Sequence, residues 1–405
     1  MTTILPSKKA QRLCVRLMAA LDSGEEKLPL EGEGKMLGIL ACDDADGNRV
    51  VLKAFSGQVG GQWVIPGWCE PAFSISEYNA ILEETDQQVK ALAIAGEESR
   101  GVSAEAMRRL FGLYRIHCID GSVKTYHEIF GDTLPPSGTG DCAAIKLLNC
   151  AFKNHLKPIS MAEFYYGGQT PSGTKQPCRF YPPCEEKCRP LLKEMLGLDI
   201  LYLDQEIVVV NKPAGLLSVP GRGEDKQDCV VNRVKRLYPD CIENPAVHRL
   251  DMDTSGILVL ALTKESQRFL SMEFEGRHVH KKYTALLDGI LRSSGGALAL
   301  PFRLDPENRP YQVYDPVQGR MCITLWKRLS VYDGKTLVEF TPLTGRTHQL
   351  RVSSASQKGL GTPIAGDRLY GTRKEGQRLM LHAGYISFTH PWSKEKIEFK
   401  VDAPF

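Results

Sequence analysis

VHRLDMDTSGILVLALT, residues 247–263, is the stretch that decides how the C-terminal half of this chain folds. Its second half, GILVLALT (256–263), is a continuous apolar run rich in Leu, Ile and Val, bounded by Gly256, and reads as a buried strand. Its first half packs His248, Arg249, Asp251, Asp253, Thr254 and Ser255 into a few residues. A buried strand holds the polar loop before it in place, as a reactive loop requires. On physics alone a turn in which Asp251 or Asp253 caps backbone amides is the simpler reading.

Moving outward, DILYLDQEIVVVNKPAG (199–215) carries a β-branched run that enters a turn at Lys-Pro-Ala-Gly, and KESQRFLSMEFEG (264–276) reads as a helix. HKKYTALLDG, ITLWKRLSVYDG, KTLVEFTPL and YISFTHPW supply further strands. Many strands with few helices imply an α+β domain on a mixed, largely antiparallel sheet flanked by helices and loops. After KTLVEFTPL comes TGRTHQLRV (344–352), where Arg346 and Arg351 flank Thr-His-Gln. Arginine grips a carboxylate or a phosphate in a bidentate fork, although two solvated arginines in a surface loop fit equally well.

The upstream half has a different texture and predicts a separate α+β domain, giving 1–195 and 196–405. Its first residues read as an amphipathic helix using Leu13, Val15, Leu17 and Leu21, with charges that argue against a secretory leader. MLGILACDD and RVVLKAFSG read as strands separated by the turn-like DADGN, and 76–115 as helix interrupted near Gly101. TLPPSGTGD (133–141) and the Gly/Pro-rich 167–184 read as loops, and EEKCRPLLKEML as a helix that Gly197 stops.

The chain of 405 residues is 42% hydrophobic and 24% charged, ordinary for a globular protein, and no apolar run is long enough to cross a membrane. Net charge is +3; residues 196–405 hold 29 Lys and Arg against 24 Asp and Glu, a basic excess too small to identify a nucleic-acid partner by itself. Twelve cysteines without a leader imply reduced thiols and a cytoplasmic location.

HRLDMDTSG and GRTHQLR, in that order, resemble the RluA-type family of pseudouridine synthases, whose motifs are H-R-L-D-x-x-T-S-G and G-R-T-H-Q-L-R. The resemblance spans roughly 196–405. EIVVVNKPAGLLSVPG (206–221), KKYTALLDG (281–289), GTPIAGDRLYG (361–371) and RLMLHAGYISFTHPW (378–392) are similar to further family blocks. One departure is Ser353, where the family usually has His. The resemblance implies isomerisation of uridine to pseudouridine in structured RNA, ribosomal RNA being favoured over transfer RNA, with base flipping and no cofactor. It assigns Asp251 as nucleophile, Arg351 as its charge partner, and Tyr283 as a residue that stacks on the base and helps move its proton. Arg249, Arg346, Lys281, His348 and Leu350 fall at positions expected to meet substrate; His248 and His348 fit structural hydrogen-bonding roles better than acid or base roles. A monomer is the expected state. The competing reading is a catalytically silent RNA-binding protein, disfavoured by Asp251, Tyr283 and Arg351 occurring together.

The upstream half is similar to the N-terminal extension of some larger bacterial members and has no assigned role; positioning RNA is one reading. Cys142, Cys178, Cys184 and Cys188 are its candidate metal ligands, Cys184 and Cys188 being expected one turn apart on a helix. The pattern is faintly similar to zinc deaminases, but Ala144 stands where their glutamate would be, and PCEEKC has three intervening residues where they have two. That disfavours deamination. Ordinary buried cysteines are the simpler expectation, and no metal is assigned.

Overall fold

The computed structural model describes residues 3–4, 8–30, 32–168, 174–184, 187–238, 240–372 and 376–405. The chain divides into two compact units, 1–199 with 237–239, and 200–236 with 240–405.

The first unit begins with β1 (Thr3–Ile4) and α1 (Lys8–Ser23). β2 (Lys35–Asp43) and β3 (Arg49–Phe55), the two strands expected, pair antiparallel around the Asp-Gly turn, and β6 (Lys157–Tyr166) and β7 (Phe180–Tyr181) complete the sheet β3-β2-β6-β7. α1 buries Ala10, Cys14, Leu17 and Met18 against Leu37, Ile39, Ala162 and Phe164. Val15 points the other way and is 55% exposed, because the buried positions recur every three to four residues and 15 falls off that stripe. α2 (Ile75–Ala95) and α3 (Arg100–Gly112) divide the long helical segment. The break is at Gly96, which takes a left-handed C-cap at φ 74°, whereas Gly101 lies inside α3. β4 (Ile116–His117), β5 (Val123–Lys124) and α4 (Tyr126–Phe130) follow, then α5 (Ala143–Lys153), almost wholly buried. α6 (Arg189–Leu196) stops at Gly197 as expected. It starts later than the sequence suggests: Cys188 is its N-cap, with Pro190 in the first turn, so Cys184 precedes the helix. Part of the 167–184 segment, residues 169–173, lies outside the described residues.

The second unit is the α+β domain expected. Its strands are β8 (Asp199–Leu203), β9 (Ile207–Lys212), β10 (Ser255–Ala261), β11 (His280–Leu287), β12 (Gly295–Leu304), β13 (Gln312–Tyr314), β14 (Arg320–Tyr332), β15 (Lys335–Pro342), β16 (Leu381–Thr389) and β17 (Lys396–Lys400). They run β8-β9-β10-β16-β11-β15-β14-β12-β13, with β17 also on β16. β10 pairs with β9 antiparallel and with β16 parallel, making the sheet mixed. Helices α7 (Val230–Leu237), α8 (Lys264–Glu275) and α9 (Gln349–Ala355) accompany it. α9 begins at Gln349, within TGRTHQLRV, where the sequence shows no helical period, and β12, β13 and β17 likewise lie outside the strands named from the sequence.

All seven residues of β10 are buried, Leu258 and Leu260 included, so the strand is covered on both faces. Gly256 has φ 117°, and a Cβ there would collide with the Ala383 backbone of β16. Only glycine allows β16 to approach the strand just behind the HRLD loop.

Candidate active site

The loop of Asp251 is fixed from three directions. Lys212, the last residue of β9, is wholly buried, and its Nζ donates to the carbonyls of Pro213 (2.9 Å), Leu216 (2.7 Å) and Met252 (2.9 Å). Burial pushes the Lys212 amine down to about 7, against the opposing pull of Asp251 and Asp253. Three carbonyl acceptors match the three hydrogens of an ammonium, so the geometry favours the charged form. The Ser218 hydroxyl donates to the Leu250 carbonyl at 2.7 Å and accepts from the Leu250 amide at 3.0 Å. The Gly215 amide donates to the Met252 carbonyl at 2.8 Å. Both chain neighbours of Asp251 are therefore tied to the 212–218 turn.

His248 supports the same loop from behind. Its Nε2 accepts from the Val259 amide at 3.0 Å, and its ring stacks on Phe274 with centroids 4.6 Å apart. Burial, helped by the charge of Lys281, pushes this imidazole down to about 3, so it is neutral. Lys281 Nζ lies 5.7 Å from the centroid of the same Phe274 ring, and burial lowers its pKa.

Arg351, on α9, is 3% exposed and reaches Asp251 with Nη1 at 3.6 Å from Oδ2. Its bidentate partner is a different residue: Nε and Nη2 donate to the two carboxylate oxygens of Asp367 at 2.8 and 2.7 Å. Asp367 is wholly buried; burial pushes its carboxyl up, but the Arg351 bonds and charge outweigh that and hold it below its usual range. Burial opposes charge on Arg351 too, yet Asp367, Asp251 and Asp253 outweigh it and raise its pKa. The Tyr370 ring lies 5.6 Å from the Arg351 guanidinium carbon, and Arg368 pairs with Asp253 at 2.8 Å. One guanidinium thus spends two nitrogens on a buried anchor and presents the third to Asp251, whose side chain is 26% exposed.

Asp367, Arg368 and Tyr370 all come from GTPIAGDRLYG, a block quoted for its resemblance but without a role for any residue in it. The available signal was an Asp-Arg pair between Gly366 and Gly371. Gly366 has φ 74°, and a Cβ on it would strike the Arg378 carbonyl. Gln349 also went unassigned. Its Oε1 accepts from Thr344 Oγ1 (2.8 Å) and the Arg346 amide (3.1 Å), and its Nε2 donates to the Ile323 carbonyl (3.1 Å) and Thr324 Oγ1 (2.9 Å). That network shapes the loop leading into α9.

The remaining expected residues fall into two groups. Arg249 and Arg346 are exposed. His348 and Leu350 are buried: His348 is the N-cap of α9 at φ 54° with Nδ1 2.9 Å from the Tyr370 hydroxyl, and Leu350 packs in the core with Phe340 and Leu381. Ser353, at the family's His position, is 1% exposed, and its carbonyl accepts from the Leu360 amide at 3.1 Å. Tyr283 lies on β11 opposite Phe340, where the β11–β16 register shifts between Lys282 and Thr284. Burial first, and the charge of Asp251 second, raise the Tyr283 pKa, keeping the phenol neutral. Of the cysteines, Cys178 is exposed with φ 60°, whereas Cys142, Cys184 and Cys188 have sulfurs all within 4.8 Å of one another.

An aspartate on a braced loop thus faces a guanidinium anchored from behind, and its charge reaches a neutral tyrosine. Residues 206–356 match the RNA pseudouridylate synthase family. The dual-specificity RNA pseudouridine synthases RluA of Pasteurella multocida and Escherichia coli K12 are each 42% identical over 212 residues, covering 51% of this chain and 94% of the relative. The chain belongs to the RluA family and is an RNA pseudouridine synthase, isomerising uridine in RNA. Human RNA Pseudouridylate Synthase Domain Containing 1 aligns at TM-score 0.43 and 31% identity, over 51% of this chain and 84% of that one. Among the described residues no helix is long and apolar enough to cross a membrane.

Proposed function

We propose that Asp251 is the nucleophile of this reaction, that Arg351 and Tyr283 complete the catalytic set, and that 196–405 is the catalytic part. One observation carries the reading: Asp251 is the partly exposed acid of a buried Asp251–Arg351–Asp367 group, so a substrate can reach it while its partner cannot move. The Asp251 carboxylate attacks C1′ of the flipped nucleotide, the C1′–N1 bond breaks, and its electron pair goes to uracil N1. The freed ring turns, C5 bonds to C1′, and the carboxylate leaves. The C5 proton is lost as N1 gains one, so the step is redox-neutral and calls for no cofactor. Tyr283, held neutral, stacks on the uracil and relays that proton through its hydroxyl. Exposed Arg249 and Arg346 suit phosphate contacts that hold an unstacked nucleotide. Ribosomal RNA is the favoured target, transfer RNA the next, with the enzyme acting in the cytoplasm as a monomer and residues 1–195 positioning RNA.

Pseudouridine mapping of ribosomal and transfer RNA, from cells with and without the gene, identifies the target. Asp251→Asn returned to the deleted cells is expected to restore no site while the purified variant keeps its fold and RNA affinity, because the amide is nearly isosteric but a far poorer nucleophile. Near-normal modification by Asp251→Asn, with no deamidation back to Asp by mass spectrometry, would overturn the assignment.

A further inference from the structure

The first unit holds a side-chain cluster that uridine isomerisation does not use. Cys142 is the N-cap of α5 and Cys188 the N-cap of α6, 46 residues apart in sequence, and their sulfurs are 3.1 Å apart. Cys184 brings a third sulfur within 4.8 Å of both. We infer that Cys142, Cys184 and Cys188 form a binding centre for a thiophilic divalent cation, zinc above all, that staples the starts of α5 and α6 together.

Four features support this. Tetrahedral zinc with Zn–S bonds of about 2.3 Å holds its sulfurs about 3.8 Å apart, so small rotamer changes bring three sulfurs from this spacing onto one ion. Next, neither cysteine caps its own helix: an N-cap side chain ordinarily accepts from an amide of the first turn, and neither sulfur does so. The sulfurs face each other instead, with two helix N-termini beside them, where partial positive charge favours thiolates. A backbone amide also points at the sulfurs: Gly140 N–H donates to Cys188 Sγ at 3.4 Å. Amide donation to ligand sulfur spreads thiolate charge around a bound metal. Finally, a disulfide explains the cluster less well. The 3.1 Å separation is well beyond the S–S bond of about 2.05 Å, and joining Cys142 to Cys188 would leave Cys184 without a purpose.

The start of α5 is fixed independently of any ion. Glu163 of β6, 3% exposed, accepts from the Ala144 amide at 3.0 Å, holding the helix end two residues beyond Cys142. Three thiolates occupy three corners of a tetrahedron, and among the described residues no fourth ligand joins the cluster. Isomerisation in the second unit needs no metal, so the centre is a structural addition to the enzyme.

The full chain, purified without chelator under reducing conditions, is measured for metal by plasma mass spectrometry. About one zinc per chain is expected, falling below a tenth in a Cys184→Ser/Cys188→Ser double variant. Because that variant could fail to fold, wild-type protein stripped of metal and titrated with Co(II) provides a second reading. Intense sulfur-to-cobalt charge-transfer bands with tetrahedral d–d absorption at one equivalent support the centre. Absence of zinc together with absence of those bands overturns it, as does a Cys142–Cys188 disulfide in protein isolated under native redox conditions and mapped by non-reducing peptide mass spectrometry.

Discussion

Replacing Asp367 by Asn tests whether the acid behind Arg351 matters as much as the acid in front of it. The amide keeps the shape and one acceptor oxygen but removes the charge that takes two Arg351 hydrogen bonds at 2.7 and 2.8 Å. Arg351 is 3% exposed, so water cannot replace that charge. Removing one side of a buried ion pair costs about 3–5 kcal/mol. Asp251 offsets part of it: at 3.6 Å and an effective dielectric of ~20 its attraction for Arg351 is about 5 kcal/mol before desolvation. The single variant should therefore lose about 3 kcal/mol, the lower end of that range. The guanidinium then turns toward Asp251 and binds its carboxylate directly, lowering turnover roughly 10–100-fold, or about 1.4–3 kcal/mol of barrier. Adding Asp251→Asn removes both carboxylates that pair with Arg351 and leaves only the more remote charge of Asp253, so the double variant should be less stable than additivity predicts by about 1–3 kcal/mol. Urea unfolding followed by hydrogen exchange in peptides from 240–405 measures stability in the second unit alone, and multiple-turnover assays on the mapped RNA measure the rate. Wild-type stability and rate in Asp367→Asn, or additivity within about 0.5 kcal/mol in the double variant, would refute the three-residue argument.

Arg346→Ala, at an exposed position, should weaken RNA binding and reduce the slope of log K against log salt by about one, with turnover at saturating RNA little changed; filter binding from 50 to 200 mM salt checks this. His248 gives a pH dependence of known sign. Its folded pKa of about 3 lies below the unfolded value near ~6.5, so the unfolded chain takes up the proton first as pH falls. Its contribution is complete above pH ~6.5 and is lost toward pH 3, at up to about 1.4 kcal/mol per unit, and His248→Gln should flatten the urea midpoint across that window.

How far the sequence disclosed the fold and site depended on whether a signal was local. β10 was legible because seven consecutive buried residues need a continuous apolar run, and α8 because Thr263 caps it and Gly276 ends it. α9 was not legible: it has only seven residues, about two turns, it begins at a histidine in the left-handed region, and its buried residues include Gln349, Arg351, Ser353 and Ser354. Burial of such polar residues follows from partners far away in sequence, and no periodicity records them. Asp251 could be singled out because its own loop, HRLDMDTSG, resembles a family motif, whereas Asp367 sits between Gly366 and an arginine and gains its meaning only from Arg351, sixteen residues earlier. Lys212 was hidden for a related reason. A lysine ending a strand before Pro-Ala-Gly reads as a solvated strand terminus, yet here its ammonium organises three carbonyls, one of them forty residues away beside Asp251. The cysteines fit the same account from the opposite direction. Their spacing suggested a shared helix face, the helix begins only after Cys188, and Cys142 and Cys188 meet instead because two separate helices begin at the same place. In each case the missing information is which buried polar group answers which. A single sequence can name the groups, and the topology of the sheet decides their pairing.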